Sequence, residues 1–319
     1  MTIDKFVLAV VGAVVVAWVF PQWGGENSPI PLDTINNIGV SLIFFFYGLK
    51  LSPDKIGQGL KNWKLHLWVQ LTTFVIFPLI IIAFYPLFSE GEFRTVWTGF
   101  LFMAALPSTV SSSVVMVSVA RGNLPAAIFN ASISGLIGIA VTPLWMGLFL
   151  QHSSTGFDLG SVYLNLLTGI LLPVVVGLAL QRYFHRYAVK YSRYLTLFDK
   201  SVILLIVYKS FAESFEKNMF DAVSLSELLL ITAIVILLFF VIYALTGRLA
   251  RYLGFNREDA ITLQFCGTKK SLVHGTVFSK VLFPATMPVG IILLPLMLFH
   301  GFQIFIISLI AAKKAKEIL

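Results

Sequence analysis

The chain has 319 residues, 58% of them hydrophobic and only 12% charged, with a mean hydropathy of +0.89. Soluble domains carry about 25% charged residues, so this composition describes an integral membrane protein and leaves no room for a separate soluble catalytic domain. The net charge of +8 lies in short loops between apolar runs, where it reports membrane topology rather than nucleic-acid binding.

The first apolar stretch, Phe6 to Phe20, is followed by Pro21-Gln22-Trp23-Gly24-Gly25. No small-residue cleavage site follows it, so it is read as a retained span and not as a removed signal peptide. Runs long enough to cross roughly 30 Å of hydrocarbon fall at 3–20, 33–51, 64–88, 95–120, 124–150, 160–183, 197–215, 225–247, 257–281 and 285–312. The seventh is the most polar, with Lys209, Glu213 and Glu216 crowding its end. Short connections with turn chemistry, such as Ser52-Pro53-Asp54 and Arg121-Gly122-Asn123, separate the runs.

With both termini inside, most of the 23 lysines and arginines fall on the cytoplasmic side. They are Lys5, the group from Lys50 to Lys64, Arg121, the group from Arg182 to Lys200, then Arg248, Arg251, Arg257, Lys313, Lys314 and Lys316. Outside lie Arg94, Lys217 and Lys280. A missed span would flip every later loop and destroy this bias. The expectation is therefore an all-α, ten-span, multi-pass protein of the inner (plasma) membrane with both termini cytoplasmic.

Two spans are interrupted. Leu106-Pro107-Ser108-Thr109-Val110-Ser111-Ser112-Ser113 breaks the fourth, and Cys266-Gly267-Thr268-Lys269-Lys270-Ser271 breaks the ninth. The second break follows the first by about 160 residues, half the chain, which suggests a five-plus-five inverted repeat, 1–150 and 151–319, with its broken helices crossing near the midplane. Backbone that leaves helical geometry at membrane depth must line a cavity or be buried in protein. Lys269 and Lys270 fall in the second break, and charge at that depth marks a functional site by default. Cys266, the one cysteine, excludes an internal disulfide.

Four stretches carry a family likeness: Phe44-Phe45-Phe46-Tyr47-Gly48-Leu49-Lys50-Leu51, Val117 to Asn123, Asn130 to Pro143, and Phe265 to Gly275. On these the chain resembles the bile acid:sodium symporter superfamily, and within it the divergent bacterial branch that includes the seventh human paralogue. The resemblance implies a panel domain from spans 1, 2, 6 and 7, and a core domain from spans 3–5 and 8–10. It also implies a secondary transporter that moves a small or amphipathic organic anion by alternating access.

Aligned with that family, the sodium-binding glutamate of span nine falls at Phe265 and its glutamine at Lys269. The asparagine after the first break falls at Val114, the hydroxyl ligands of span five at Ala127 and Ala131, and the glutamine of span three at Thr73. Only the serine at Ser113 is kept, so the sodium sites are largely absent.

Three roles are open for the lysines: a tethered cation in place of sodium, with Ser108, Thr109 and Thr73 as partners; a group that exchanges a proton during the cycle; or a direct contact to an anionic substrate. Adjacent helical positions point about 100° apart, so the two lysines should differ in role. Candidate site residues are Lys269, Lys270, Thr268, Ser271, Ser108, Thr109, Ser111, Ser112, Ser113, Asn130, Ser134, Gln264, Thr73 and His274. No cofactor, resident metal or nucleic-acid partner is expected; the partners are a small solute and membrane lipid, and the coupling ion is left between sodium and proton. Two alternatives stand beside this reading: a regulatory membrane protein that keeps the fold without transporting, and an ordinary sodium symporter with altered ligands. No HExxH motif or intramembrane aspartate pair occurs, so an enzyme is not expected.

Overall fold

A computed structural model of the chain describes residues 5–25, 28–50, 62–88, 93–109, 111–150, 160, 164, 167–216, 218, 224–284 and 287–316. Among them the secondary structure is helical. Apart from the single turn Tyr85–Phe88, the α-helices in chain order are α1 (Lys5–Val19), α2 (Leu32–Lys50), α3 (Trp63–Ile82), α4 (Phe93–Ala105), α5 (Ser111–Val119) and α6 (Leu124–Leu150). They continue with α7 (Leu167–Lys190), α8 (Ser192–Glu216), α9 (Leu225–Tyr252), α10 (Arg257–Thr268), α11 (Leu272–Leu282) and α12 (Val289–Lys316).

Among the described residues, six helices are long and apolar enough to cross a membrane: α2, α3, α6, α7, α9 and α12. This is a multi-pass membrane protein. The other stretches expected to cross are shorter or more polar. The fourth is divided into α4 and α5, the ninth into α10 and α11, and α8 carries the lysine and glutamates that crowd its end. There Lys209 pairs with Glu213 on the next turn of α8 and with Asp33 of α2 at 3.1 Å, so its charge is balanced by one carboxylate on its own helix and one on a neighbour.

The chain forms two compact units. One comprises Met1–Ser52, Gly147–Val223 and Thr276–Ile291. In it α2 packs closely on α7, and glycines allow the approach: a Cβ built on Gly48 would lie 2.3 Å from the Val174 carbonyl oxygen, and one on Gly177 2.2 Å from that of Phe45. Small residues at such crossings let helix backbones meet where lipid supplies no hydrophobic driving force. Lys280 adds a second cation to Asp33, at 3.3 Å.

The other unit comprises Pro53–Met146, Ser224–Gly275 and Ile292–Leu319. Its helix ends are capped by sequence-local chemistry. Ser224 and Glu227 form a reciprocal capping box on α9, and the Asn256 side chain accepts the Asp259 N–H at the start of α10. Asp259 is in turn held by the side-chain amides of Asn62 and Asn123, at 2.9 and 2.8 Å, which ties α3, α6 and α10 together at one end. Gly99 of α4 lies against the Ile292 backbone, where a Cβ would come within 2.6 Å of its carbonyl oxygen. Phe77, Phe239 and Phe299 fill the interior with edge and tilted ring contacts, and the half-buried Phe302 packs edge-on against Phe239.

Candidate functional site

Both helix interruptions lie in the second unit, and they meet. Pro107 has no N–H to continue α4 and biases Leu106 away from helical geometry, so the helix stops at Ala105. The chain resumes as α5 at Ser111, with the Thr109 hydroxyl bonded to those of Ser112 and Ser113, each at 2.8 Å. On the other side α10 ends at Thr268 and Lys269 is extended, φ −82°, ψ 147°. Gly267, the one glycine of α10, approaches Thr72 of α3, where a Cβ would sit 3.2 Å from its side chain.

Two hydrogen bonds stitch the breaks together. The Ser271 N–H donates to the Pro107 carbonyl at 3.0 Å, and the Ser108 hydroxyl donates to the Cys266 carbonyl at 2.6 Å. Ser134 of α6 supports the junction by accepting the Ser108 N–H at 3.0 Å. Backbone groups that left the helical ladder therefore find partners in the opposite break, as membrane depth requires.

Lys269 and Lys270 are both completely buried. The Lys270 ammonium donates to three carbonyls: Thr73 at 2.7 Å, Ala104 at 2.5 Å and Leu106 at 2.9 Å. It also lies 4.3 Å from the centroid of the Phe77 ring. Each carbonyl is available for a reason. Those of Ala104 and Leu106 belong to the end of α4, where the helix leaves its last acceptors free and its dipole is negative.

Thr73 is freed by a different device. It sits in a π-helical turn, Thr72–Ile76, in which the Phe77 N–H reaches back to the Thr72 carbonyl. The next residue, Pro78, has no N–H to offer. The Thr73 carbonyl is thus left without a helical donor, and Lys270 takes it. All three ammonium protons are used, and the aromatic face adds a desolvated cation–π contact of about 2 kcal/mol.

Gln303 of α12 fixes the backbone of Lys270. Its Oε1 accepts the Lys270 N–H at 2.8 Å and its Nε2 donates to the Lys270 carbonyl at 2.7 Å. His300 lies beside it, its Nδ1 2.9 Å from Gln303 Nε2.

Lys269 is held differently. Its ammonium donates to the Ser112 carbonyl at 2.8 Å and reaches the Ser112 hydroxyl at 3.4 Å. Both partners belong to the first turn of α5. The two lysines do diverge, but through extended backbone, in which successive side chains point to opposite sides, and not through the 100° step of a helix.

The remaining candidates divide. Ser108, Thr109, Ser112, Ser113, Ser134 and Ser271 are joined in the junction, and Ser271 also bonds His274 Nδ1 at 2.9 Å. Thr73 contributes its carbonyl; its hydroxyl is spent on Val69. Thr268 has a buried hydroxyl without a hydrogen-bond partner among the described residues. Asn130 turns away, toward His66 and Gln70 of α3. Gln264 also turns away, donating to the Tyr243 carbonyl of α9 at 3.2 Å. The Ser111 side chain, with Val110, lies outside the described residues. Sequence reasoning missed Gln303, Phe77, Pro78 and the Ala104 and Leu106 carbonyls.

A family model, that of the SBF-like CPA transporter family, matches residues 4–316. The chain belongs to this family. Similar proteins span it almost end to end. An uncharacterised protein of Pseudomonas aeruginosa is 38% identical over 315 residues, covering 98% of this chain and 93% of the relative. YfeH of Escherichia coli, named as a putative symporter, is 33% identical over 315 residues, 99% of this chain and 94% of the relative. Sodium/bile acid cotransporter 7 of Rattus norvegicus is 31% identical over 311 residues, 96% of this chain and 91% of the relative. The resemblance to bile acid:sodium symporters is thereby borne out, and this SBF-like protein is a transporter of that type.

Proposed function

We propose that this protein is a secondary transporter of small organic anions in which the Lys270 ammonium occupies the position of a coupling cation, so that transport does not require sodium. The observation that carries this reading is the coordination of Lys270 by three carbonyls and the face of Phe77. Such a cage of carbonyl oxygens, two of them at the negative end of a broken helix, is the environment that transporters use for monovalent cations.

Lys269 supplies the contact to the anion. Its ammonium has three donors and a single short bond, and it lies beside the first turn of α5, the positive end of a helix. An anion here would compensate a charge whose burial costs several kcal/mol. In this reading the ten stretches cross the membrane as a five-plus-five inverted repeat, with both termini cytoplasmic in the plasma membrane. The unit that holds the crossing acts as the core and the other as the panel, and alternating access exposes the Lys269 site to each side in turn.

The test is thermal unfolding of the purified protein and of Lys270→Ala, titrated with sodium against a potassium control. A ligand that binds only the folded state raises its stability, by about 2.7 kcal/mol at a hundredfold excess over Kd. Wild type should ignore sodium, and Lys270→Ala, with its carbonyl cage vacated, should gain a saturable response. A saturable sodium response of the wild type would overturn the reading and restore ordinary sodium symport.

A further inference from the structure

Residues 182–194 read Arg-Tyr-Phe-His-Arg-Tyr-Ala-Val-Lys-Tyr-Ser-Arg-Tyr. A basic residue followed by tyrosine recurs four times, at Arg182-Tyr183, Arg186-Tyr187, Lys190-Tyr191 and Arg193-Tyr194. The spacing of four within α7 is the repeat of a helix face, and the same pair recurs just after the turn. The series runs over the last turns of α7, across the turn at Tyr191, and into α8. On α7 one stripe is therefore basic and the stripe beside it is made of tyrosines, and the start of α8 adds Arg193 and Tyr194.

These side chains point outward. All four basic residues are exposed, and the tyrosines are exposed by 45% to 69%. No carboxylate pairs with Arg182, Arg186, Lys190 or Arg193 among the described residues. The one acid between 182 and 200, Asp199, is engaged by Lys50 at 3.5 Å. Arg182 and Lys190 lie over the rings of Tyr183 and Tyr191, at 4.5 and 5.4 Å, and Lys200 over that of Phe6 at 5.1 Å, contacts that leave the positive charge of the patch unneutralised among the described residues.

At the α8 end the patch holds an open depression of about 590 Å³, lined by Ser192, Arg193, Tyr194, Thr196, Leu197 and Lys200. Two cations with the hydroxyls of Ser192 and Tyr194, beside the Leu197 side chain, suit a phosphate ester that carries an acyl chain. The position fits as well. α7 is one of the helices able to span a membrane and ends at Lys190, so the patch lies at the level of the lipid headgroups. Tyrosines sit at that level because the ring is apolar and the hydroxyl wet, and basic residues near the surface are each drawn to anionic lipid. A loop that served only to set topology would need the charges, but neither the tyrosine register nor the depression.

We propose that this face is a binding site for the phosphodiester headgroup of an anionic glycerophospholipid, with Arg193 and Lys200 flanking the phosphate and the tyrosine stripe seated among neighbouring headgroups. The test is thermal unfolding of the full chain in neutral detergent, titrated in parallel with phosphatidylglycerol, phosphatidylcholine and inorganic phosphate. Phosphatidylglycerol should raise the Tm saturably, the other two should not, and the effect should weaken as salt is raised. In R186Q/K190Q/R193Q/K200Q the half-saturating concentration should rise about tenfold or more.

Removing four charges can also disturb insertion, so a second variant, S192A/Y194F, keeps the charges and removes the two hydroxyls of the depression that are not spent within the helix, that of Thr196 being donated to the Ser192 carbonyl at 2.8 Å; it too should bind phosphatidylglycerol more weakly. An equal rise with phosphatidylcholine, a response to inorganic phosphate alone, or an unchanged phosphatidylglycerol midpoint in both variants overturns the proposal. So does a wild-type response that ignores salt.

Discussion

Gln303 and Lys270 form a closed pair of hydrogen bonds in which the side-chain amide of one reads the main-chain N–H and C=O of the other, at 2.8 and 2.7 Å. The geometry is that of one residue pair in a β-ladder, built here inside a helical membrane protein. It holds the extended backbone of the second break where no helix can hold it, and aims the Lys270 side chain at the end of α4. Gln303→Leu removes both partners and leaves the buried Lys270 N–H unpaired and its C=O with only the His300 Nδ1 contact at 3.4 Å. The expected cost is about 2–4 kcal/mol of stability, read by thermal or denaturant unfolding in detergent. Unchanged stability would show that the pair is dispensable.

Lys269 should be separable from Lys270 by ligand response. Among carboxylates and sulfonates tested for thermal stabilisation, one that raises the wild-type Tm should lose its effect in Lys269→Gln and keep part of it in Lys269→Arg. The fully bonded neighbour Lys270 offers no donor to replace it. Retention of the full shift in Lys269→Gln would assign the anion to another site.

Pro78 should act at a distance of one turn. Pro78→Ala supplies the N–H that the π-helical turn lacks, and this N–H competes with the Lys270 ammonium for the Thr73 carbonyl. Helix α3 should lose nothing in stability, while Lys270 loses a hydrogen bond to a charged group, worth about 1.5–3 kcal/mol. Amine-reactive labelling of Lys270, followed by peptide mass spectrometry, should speed up about tenfold in keeping with that loss. Equal labelling of the two proteins would mean that Thr73 is not a determinant of the cage.

The α2–α7 crossing should be intolerant of a single methyl group. Gly48→Ala and Gly177→Ala each place a Cβ within 2.3 Å of a carbonyl oxygen on the facing helix, and main chain cannot move aside as a side-chain tip can. Each should destabilise the protein by about 1–3 kcal/mol, measured by unfolding. Gly12, where an added methyl group would meet open space, serves as the control and should tolerate alanine.

Much of the plan was legible in the chain. Apolar run length marked the membrane helices, because hydrocarbon thickness sets a minimum length that shows in composition. Pro107 and the small-residue run at Gly267 marked where helices stop, because a missing N–H and weak helix formers act locally. The two lysines stood out because a charge in an apolar run is rare. Family membership was legible from four stretches in a fixed order.

What each lysine touches was decided only by the tertiary structure. The ligands of Lys270 are carbonyls of Thr73, Ala104 and Leu106, and a carbonyl is common to every residue, so no letter in the sequence announces it. Gln303 lies 33 positions away on another helix, a polar residue in a long apolar span with no motif around it. Asn130 and Gln264 had the right residue type and depth, yet face α3 and α9, since the rotation of a helix about its axis is set by packing against its neighbours. Sequence marks where a backbone must break; only folding decides which broken ends meet, and therefore which free carbonyls surround a buried charge.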